Sequence, residues 1–173
     1  MRMLPDSPLA WLVAVLLLTP PTAAPYSRVV QEPLPPEAQL PEWARARWET
    51  VARARDLALS TRINPFLQRG DFDGDGQLDL AVLVTHRRSH KVGLVMLHRA
   101  GTGAVVLGAG TALGNGGDSF DWIDIWSVVD APAAGKAPPR APRRDALWLE
   151  KESSASGIVA FVNGRYRWLQ RGD

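Results

Sequence analysis

The residues best suited to chemistry form one short acidic stretch, residues 71–79. Its sequence, Asp-Phe-Asp-Gly-Asp-Gly-Gln-Leu-Asp, places carboxylates at the first, third, fifth and ninth positions and glycines at the fourth and sixth. Alternate side chains of a tightly curled loop face one centre, and glycine adopts the positive φ values that such curling requires. Ca²⁺ takes about 6–8 oxygen ligands at roughly 2.3–2.6 Å, which one carboxylate cannot supply. The stretch therefore predicts a calcium site.

The expected ligands are oxygen atoms from five residues of this loop. They are the side chains of Asp71, Asp73, Asp75 and Asp79 and the backbone carbonyl of Gln77. Four carboxylates within a few ångströms repel one another strongly unless a cation lies between them. The alternative interpretation is an acidic, glycine-rich turn that faces solvent.

The spacing also indicates which kind of calcium loop this is. An EF-hand needs a bidentate Glu at its twelfth position, where this chain has Val82 in an apolar run. Residues 70–84 instead resemble the calcium loop of the FG-GAP repeat (integrin α-subunit, VCBS-type), in which the ninth residue is the last ligand and a strand follows. The resemblance implies Asp71, Asp73, Asp75 and Asp79 as side-chain ligands.

That resemblance covers a single repeat, because residues 118–125 lack the glycines and the spacing of a second copy. One repeat cannot close a ring of blades, so a full β-propeller is not expected. The arrangement is also similar to small uncharacterised bacterial secreted proteins that carry one such loop.

The N-terminus reads as a secretory signal peptide over residues 1–24. An arginine precedes an apolar run at residues 9–18, and small residues follow it, with cleavage expected near Ala23 or Ala24. A transmembrane helix needs about 20 apolar residues, so no membrane span is expected after signal removal. An uncleaved interfacial anchor is the alternative. The predicted location is the periplasm or the extracellular space.

The cysteine content, the net charge and the hydrophobic content exclude several classes of protein. The chain has no cysteine, which excludes disulfides, thiol catalysis and a lipoprotein anchor. Its formal net charge is only +2 and its basic residues are scattered, so no nucleic-acid partner is expected. A hydrophobic content of 46%, with seven tryptophans, can form a core for one domain.

The mature chain is predicted to be α+β, mainly an antiparallel β meander with one N-terminal helix. Residues 25–41 form a proline-rich, extended arm, and residues 42–173 form the single domain that contains the calcium loop. Apolar residues at helical spacing predict a helix from residue 42 to about 59. Predicted strands cover residues 78–84, 91–98, 104–107, 120–129, 147–149, 158–162 and 165–169, and residues 131–144 form an exposed loop.

The strongest prediction of local structure is the last hairpin. Asn163-Gly164 separates two apolar runs and is the preferred pair for a type I′ turn. In that register Phe161 faces Tyr166 and Val159 faces Trp168.

A second acidic cluster and three histidines offer other chemistry. Asp118, Asp121 and Asp124 lie beside tryptophans, which suggests a second metal site or a hydrolase site for polysaccharide or cell wall. The alternative is loop capping and pairing with arginine side chains. His86, His90 and His98 are expected to be solvated, since no fourth zinc ligand is evident.

The leading hypothesis is a calcium-binding, non-enzymatic binding or envelope protein. Its expected partner is a cell-envelope protein or a polysaccharide, and the hydrolase is the alternative.

Overall fold

The computed structural model describes residues 34–101, 103–131 and 144–172. The predicted signal peptide, most of the predicted arm and nearly all of the predicted loop at 131–144 lie outside these residues. One helix and nine strands follow in order: α1 (Glu42–Arg55), β1 (Leu57–Leu59), β2 (Leu67–Gly70), β3 (Asp79–His86), β4 (Val92–Leu97), β5 (Ala104–Gly108), β6 (Ile125–Asp130), β7 (Asp145–Glu150), β8 (Ser156–Val162) and β9 (Arg165–Gly172).

The predicted fold class is confirmed, because the described residues form one helix and two antiparallel sheets without a closed barrel or propeller. The first sheet has the order β1-β3-β4-β5, and β2 also pairs with β3. The second sheet is a meander in the order β6-β7-β8-β9.

Strand β3 lies inside the first sheet, where it pairs with β1, β2 and β4, and its side chains from Leu80 to Val84 are apolar on both faces. Leu80, Val82 and Val84 pack in one cluster with Ala44 and Trp48 of α1. Ala81 and Leu83 point the other way, into a second cluster that includes residues of the second sheet. The first sheet is therefore covered by the helix on one face and by the second sheet on the other.

Helix α1 begins where predicted but ends earlier. The Pro41 carbonyl accepts hydrogen bonds from the N–H groups of Ala44 and Arg45, both at 2.9 Å. Asp56 has a left-handed conformation, with φ of 53°, and its N–H caps the Ala52 carbonyl. The prediction of helix up to about residue 59 is wrong, because this turn redirects the chain into β1.

The described end of the predicted arm is folded against the domain. Pro36–Gln39 form a 3-10 helix and Leu40 is buried in the cluster beneath α1. Residues 36–39 are therefore not extended as predicted. The helical turn lets Leu40 make apolar contacts in the cluster beneath α1.

The last hairpin is confirmed in its turn and in its register. Asn163 and Gly164 have φ values of 51° and 78°, as a type I′ turn requires. Phe161 pairs with Tyr166 and Val159 pairs with Trp168.

The strand predicted over residues 120–129 is shorter than expected. Strand β6 begins at Ile125, and the preceding residues form a turn in which the Ile123 N–H donates to the Phe120 carbonyl at 3.3 Å. Phe120 and Ile123 are fully buried. A straight strand would place these two residues on opposite faces, whereas the turn brings both into the core.

Candidate metal centre

The predicted calcium loop connects β2 to β3 and is curled by its glycines. Gly74 and Gly76 have φ values of 81° and 84°, which other residues adopt only with strain. The loop leaves the sheet after Gly70 and returns to it at Asp79, where β3 begins.

Three of the predicted ligands converge within this loop. Oxygen atoms of Asp71, Asp73 and Asp75, which we call the loop group, all lie within 4.8 Å of one another. Backbone N–H groups turn toward them: Gly74 and Gly76 donate to Asp71 at 2.8 and 3.0 Å. Asp75 donates to Asp73 at 3.1 Å. These hydrogen bonds hold the carboxylates in place, while each oxygen keeps a lone pair for a cation.

The fourth predicted carboxylate, Asp79, belongs to a second set that shares Asp73. Oxygen atoms of Asp73 and Asp79 and a ring nitrogen of His98, which we call the inner group, also lie within 4.8 Å of one another. The Nδ1 atom of His98 is 3.1 Å from Asp73 and 3.2 Å from Asp79. Asp79 is only 1% exposed and accepts hydrogen bonds from the backbone N–H groups of Phe72 and Arg99, at 3.2 and 2.8 Å.

The sequence interpretation of His98 as a solvated residue is wrong, since His98 is only 7% exposed. Its other ring nitrogen, Nε2, lies 3.2 Å from the Tyr166 hydroxyl, and the two rings stack with centroids 5.8 Å apart. The register of β3 and β4 explains its position. Leu80 pairs with Leu97, so the next position along the hairpin places His98 opposite Asp79.

Electrostatics couple the members of the inner group. The hydrogen bond with Asp79 raises the pKa of His98, although burial of the ring acts in the opposite direction. Burial raises the pKa of Asp73, and the charge of Asp79 raises it further. Burial also raises the pKa of Tyr166, so its hydroxyl stays protonated at neutral pH. The surroundings of the inner group therefore shift both Asp73 and His98 toward their protonated forms.

The loop also joins the two sheets. The Asp71 N–H donates to the Asp145 carboxylate at 2.7 Å, and the Asp145 N–H donates back to the Asp71 carbonyl at 2.8 Å. A side chain at Gly70 would meet Asp145 at 2.9 Å, so glycine there permits the approach. The side chain of Arg144 covers Gly74 with its Nε, Cγ and Cδ atoms. We call these contacts the sheet junction.

The remaining predicted ligand, Gln77, lies in the exposed part of the loop. Its N–H donates to Asp75 at 2.8 Å. The role predicted for its carbonyl stays a prediction.

The second acidic cluster has a different environment. The carboxylate of Asp118 forms an ion pair with Lys91, and Asp121 and Asp124 are exposed. Within the described part of the chain, these three residues are not among the groups close enough to share a metal ion. The partner of Asp118 is a lysine and not one of the arginines predicted for this cluster.

Comparison with protein-family models, with curated proteins and with solved structures gives no match for this chain. Among the described residues, no helix combines the length and the apolar character needed to cross a membrane.

Proposed function

We propose that this protein binds Ca²⁺ through the loop at residues 71–79, as a non-enzymatic binding or envelope-associated protein outside the cytoplasm. The observation that carries the proposal is the convergence of the loop group within 4.8 Å. The ligand set is the predicted one, with Asp71, Asp73 and Asp75 at its centre and the Gln77 carbonyl and Asp79 completing it.

The chemistry of the loop group favours a hard cation. Its ligand atoms are all carboxylate oxygens, the ligand type that Ca²⁺ prefers. In the described part of the chain, Asp71 and Asp75 accept hydrogen bonds from backbone N–H groups and form no ion pair with a basic side chain. A divalent cation would offset the repulsion between these carboxylates.

The proposed role of the ion is to stabilise the sheet junction. Asp71 contributes its carboxylate to the loop group and its backbone to the paired hydrogen bonds with Asp145. A cation that fixes Asp71 therefore also fixes the contact between β2 and β7. A chain without cysteine has no disulfide to make such a link.

The proposed location follows from the signal-like N-terminus and agrees with the expected affinity. Extracellular calcium modules bind with Kd of about 10⁻⁴–10⁻³ M, near the calcium concentration outside cells. The proposed partner is a cell-envelope protein or a polysaccharide, held by a surface that the ion keeps in shape.

Isothermal titration calorimetry of the purified protein tests the proposal. We expect one Ca²⁺ to bind with release or uptake of heat, and Asp73→Asn to weaken binding at least 100-fold, because Asp73 belongs to both groups. Asp121→Asn, a carboxylate lost from the second acidic cluster, is the matched control and should change the affinity less than twofold. Absence of Ca²⁺ heat, or equal heat in Asp73→Asn, would reject the proposal.

A further inference from the structure

The inner group differs from the loop group by one atom type, the ring nitrogen of His98. We propose that Asp73, Asp79 and His98 form a binding site for a divalent transition-metal ion of the Zn²⁺ class. Imidazole nitrogen suits Zn²⁺ and its neighbours, whereas Ca²⁺ takes oxygen ligands. This site needs neither the glycines of the loop nor Asp75. It shares Asp73 and Asp79 with the proposed Ca²⁺ ligand set, so the two ions would compete for these carboxylates.

The distances place one nitrogen between two carboxylates. Nδ1 of His98 is 3.1 Å from Asp73 and 3.2 Å from Asp79, and the three ligand atoms lie within 4.8 Å of one another. A single Nδ1 proton cannot donate fully to both oxygens. A divalent cation at the centre of the three atoms interacts with all of them, and zinc commonly binds three protein ligands with a fourth position for water.

The partners around the inner group hold its members in fixed orientations. Tyr166, which is itself buried, contacts Nε2 of His98 at 3.2 Å and leaves Nδ1 directed at the carboxylates. The N–H groups of Phe72 and Arg99 hold Asp79. Metal-ligating histidines and carboxylates are typically hydrogen-bonded in this way, and such partners change metal affinity by about 10- to 100-fold.

Access to the inner group is through Asp73. His98 and Asp79 are buried, whereas the side chain of Asp73 is 22% exposed at the curled loop. Burial removes water from Asp79 and His98. This costs free energy unless a cation or a proton balances the charge of the carboxylate.

The test uses a background in which His98 is the only histidine. The chain has three histidines, and the other two lie on or beside the exposed β3–β4 turn, so His86→Asn and His90→Asn remove adventitious zinc ligands. Zn²⁺ affinity is measured by competition with a chromophoric chelator. We expect one Zn²⁺ per chain, with at least a tenfold loss of affinity in His98→Asn. Asp75→Asn is the control, and should weaken Ca²⁺ binding while changing Zn²⁺ affinity less than threefold.

The outcomes separate this inference from the calcium proposal. Failure of the background protein to bind Zn²⁺ saturably, or a loss below tenfold in His98→Asn, overturns the zinc site and leaves the calcium loop untouched. An unchanged Ca²⁺ affinity in Asp75→Asn contradicts the calcium loop alone.

A second measurement applies if His98→Asn fails to fold. Co²⁺ replaces Zn²⁺ in the background protein, and proton NMR should show one exchangeable imidazole N–H resonance shifted far outside the diamagnetic range. The shifted resonance should disappear in D₂O. Its absence from the spectrum in H₂O at saturating Co²⁺ overturns the site.

Discussion

The two acidic segments of this protein both contain several aspartates, but their backbones have different conformations. Residues 71–79 curl at two glycines with positive φ, and three of their carboxylates converge within 4.8 Å. Residues 118–124 have no glycine between their acids, and there Asp118 pairs with Lys91 while Asp121 and Asp124 face solvent. A high density of acidic residues is therefore not enough to bring their carboxylates together. Convergence also needs a curved backbone and N–H groups that face the carboxylates.

The largest difference between the segments should appear when one partner of each ion pair is removed. Asp79→Asn takes the charge from a buried pair with His98, and breaking a buried pair costs about 3 kcal/mol or more. Asp118→Asn breaks a pair whose two side chains are each about 40% exposed, which should cost less than ~1 kcal/mol. Urea denaturation at pH 6 with a chelator measures both, and equal losses would contradict the contrast.

Calcium should stabilise the protein through the first segment only. At a free Ca²⁺ concentration about 100-fold above Kd, the free energy of unfolding should rise by about 2.7 kcal/mol, because the ion binds the folded state. Asp73→Asn should abolish the rise and Asp124→Asn should preserve it. Thermal and urea unfolding in calcium and in chelator give the comparison. A rise that survives in Asp73→Asn would place the ion elsewhere.

The curvature of the loop can be tested with its two glycines. Gly74→Ala forces a side chain onto φ of 81° and onto Arg144, whose side-chain atoms would lie 2.4–2.8 Å from the new Cβ. Gly76→Ala meets the same backbone strain, about 1–2 kcal/mol, but open space around the Cβ. Gly74→Ala should therefore lose more stability than Gly76→Ala in urea. The reverse order would show that Arg144 does not pack on the loop.

The smallest expected effect is a pH dependence of the metal-free protein. The folded state raises the pKa of His98 above its ordinary value of 6.5, so the folded chain holds this proton more tightly than the unfolded chain. The contribution of His98 to the free energy of unfolding is therefore complete below about pH 6.5. It is lost as the pH rises through the pKa of His98 in the folded state. Urea denaturation across pH 6–9 with a chelator should show this slope.

Two variants locate the source of that slope. His98→Asn should flatten it, since the titrating group is gone, and Asp121→Asn in the second acidic segment should leave it as in the parent. A slope that persists in His98→Asn would assign it to another group.

The sequence predicts best where structure is decided by neighbours along the chain. Asn163-Gly164 fixes both the turn and the register of the last hairpin, because the turn type dictates which residues pair. Gly74 and Gly76 likewise predict the curled loop. The end of α1 at Asp56 was not predictable in this way, since a left-handed aspartate has no strong local signal.

The inner group could not be found from spacing alone, because its members come from distant parts of the chain. His98 lies 19 residues from Asp79, and Tyr166, which contacts His98 from outside the group, lies 68 residues from it. The register of the β3–β4 hairpin could have located His98. The hydrogen bond from the His86 N–H to the Lys91 carbonyl closes the turn, and this register places His98 opposite Asp79.

The central claim is that a cation binds the first acidic segment, and a crystal structure of the protein grown with Ca²⁺ tests it most directly. We expect an anomalous peak coordinated by oxygens of Asp71, Asp73 and Asp75 at about 2.3–2.6 Å. A map with no such peak at saturating Ca²⁺, or with a peak at Asp118, Asp121 or Asp124 instead, would contradict it.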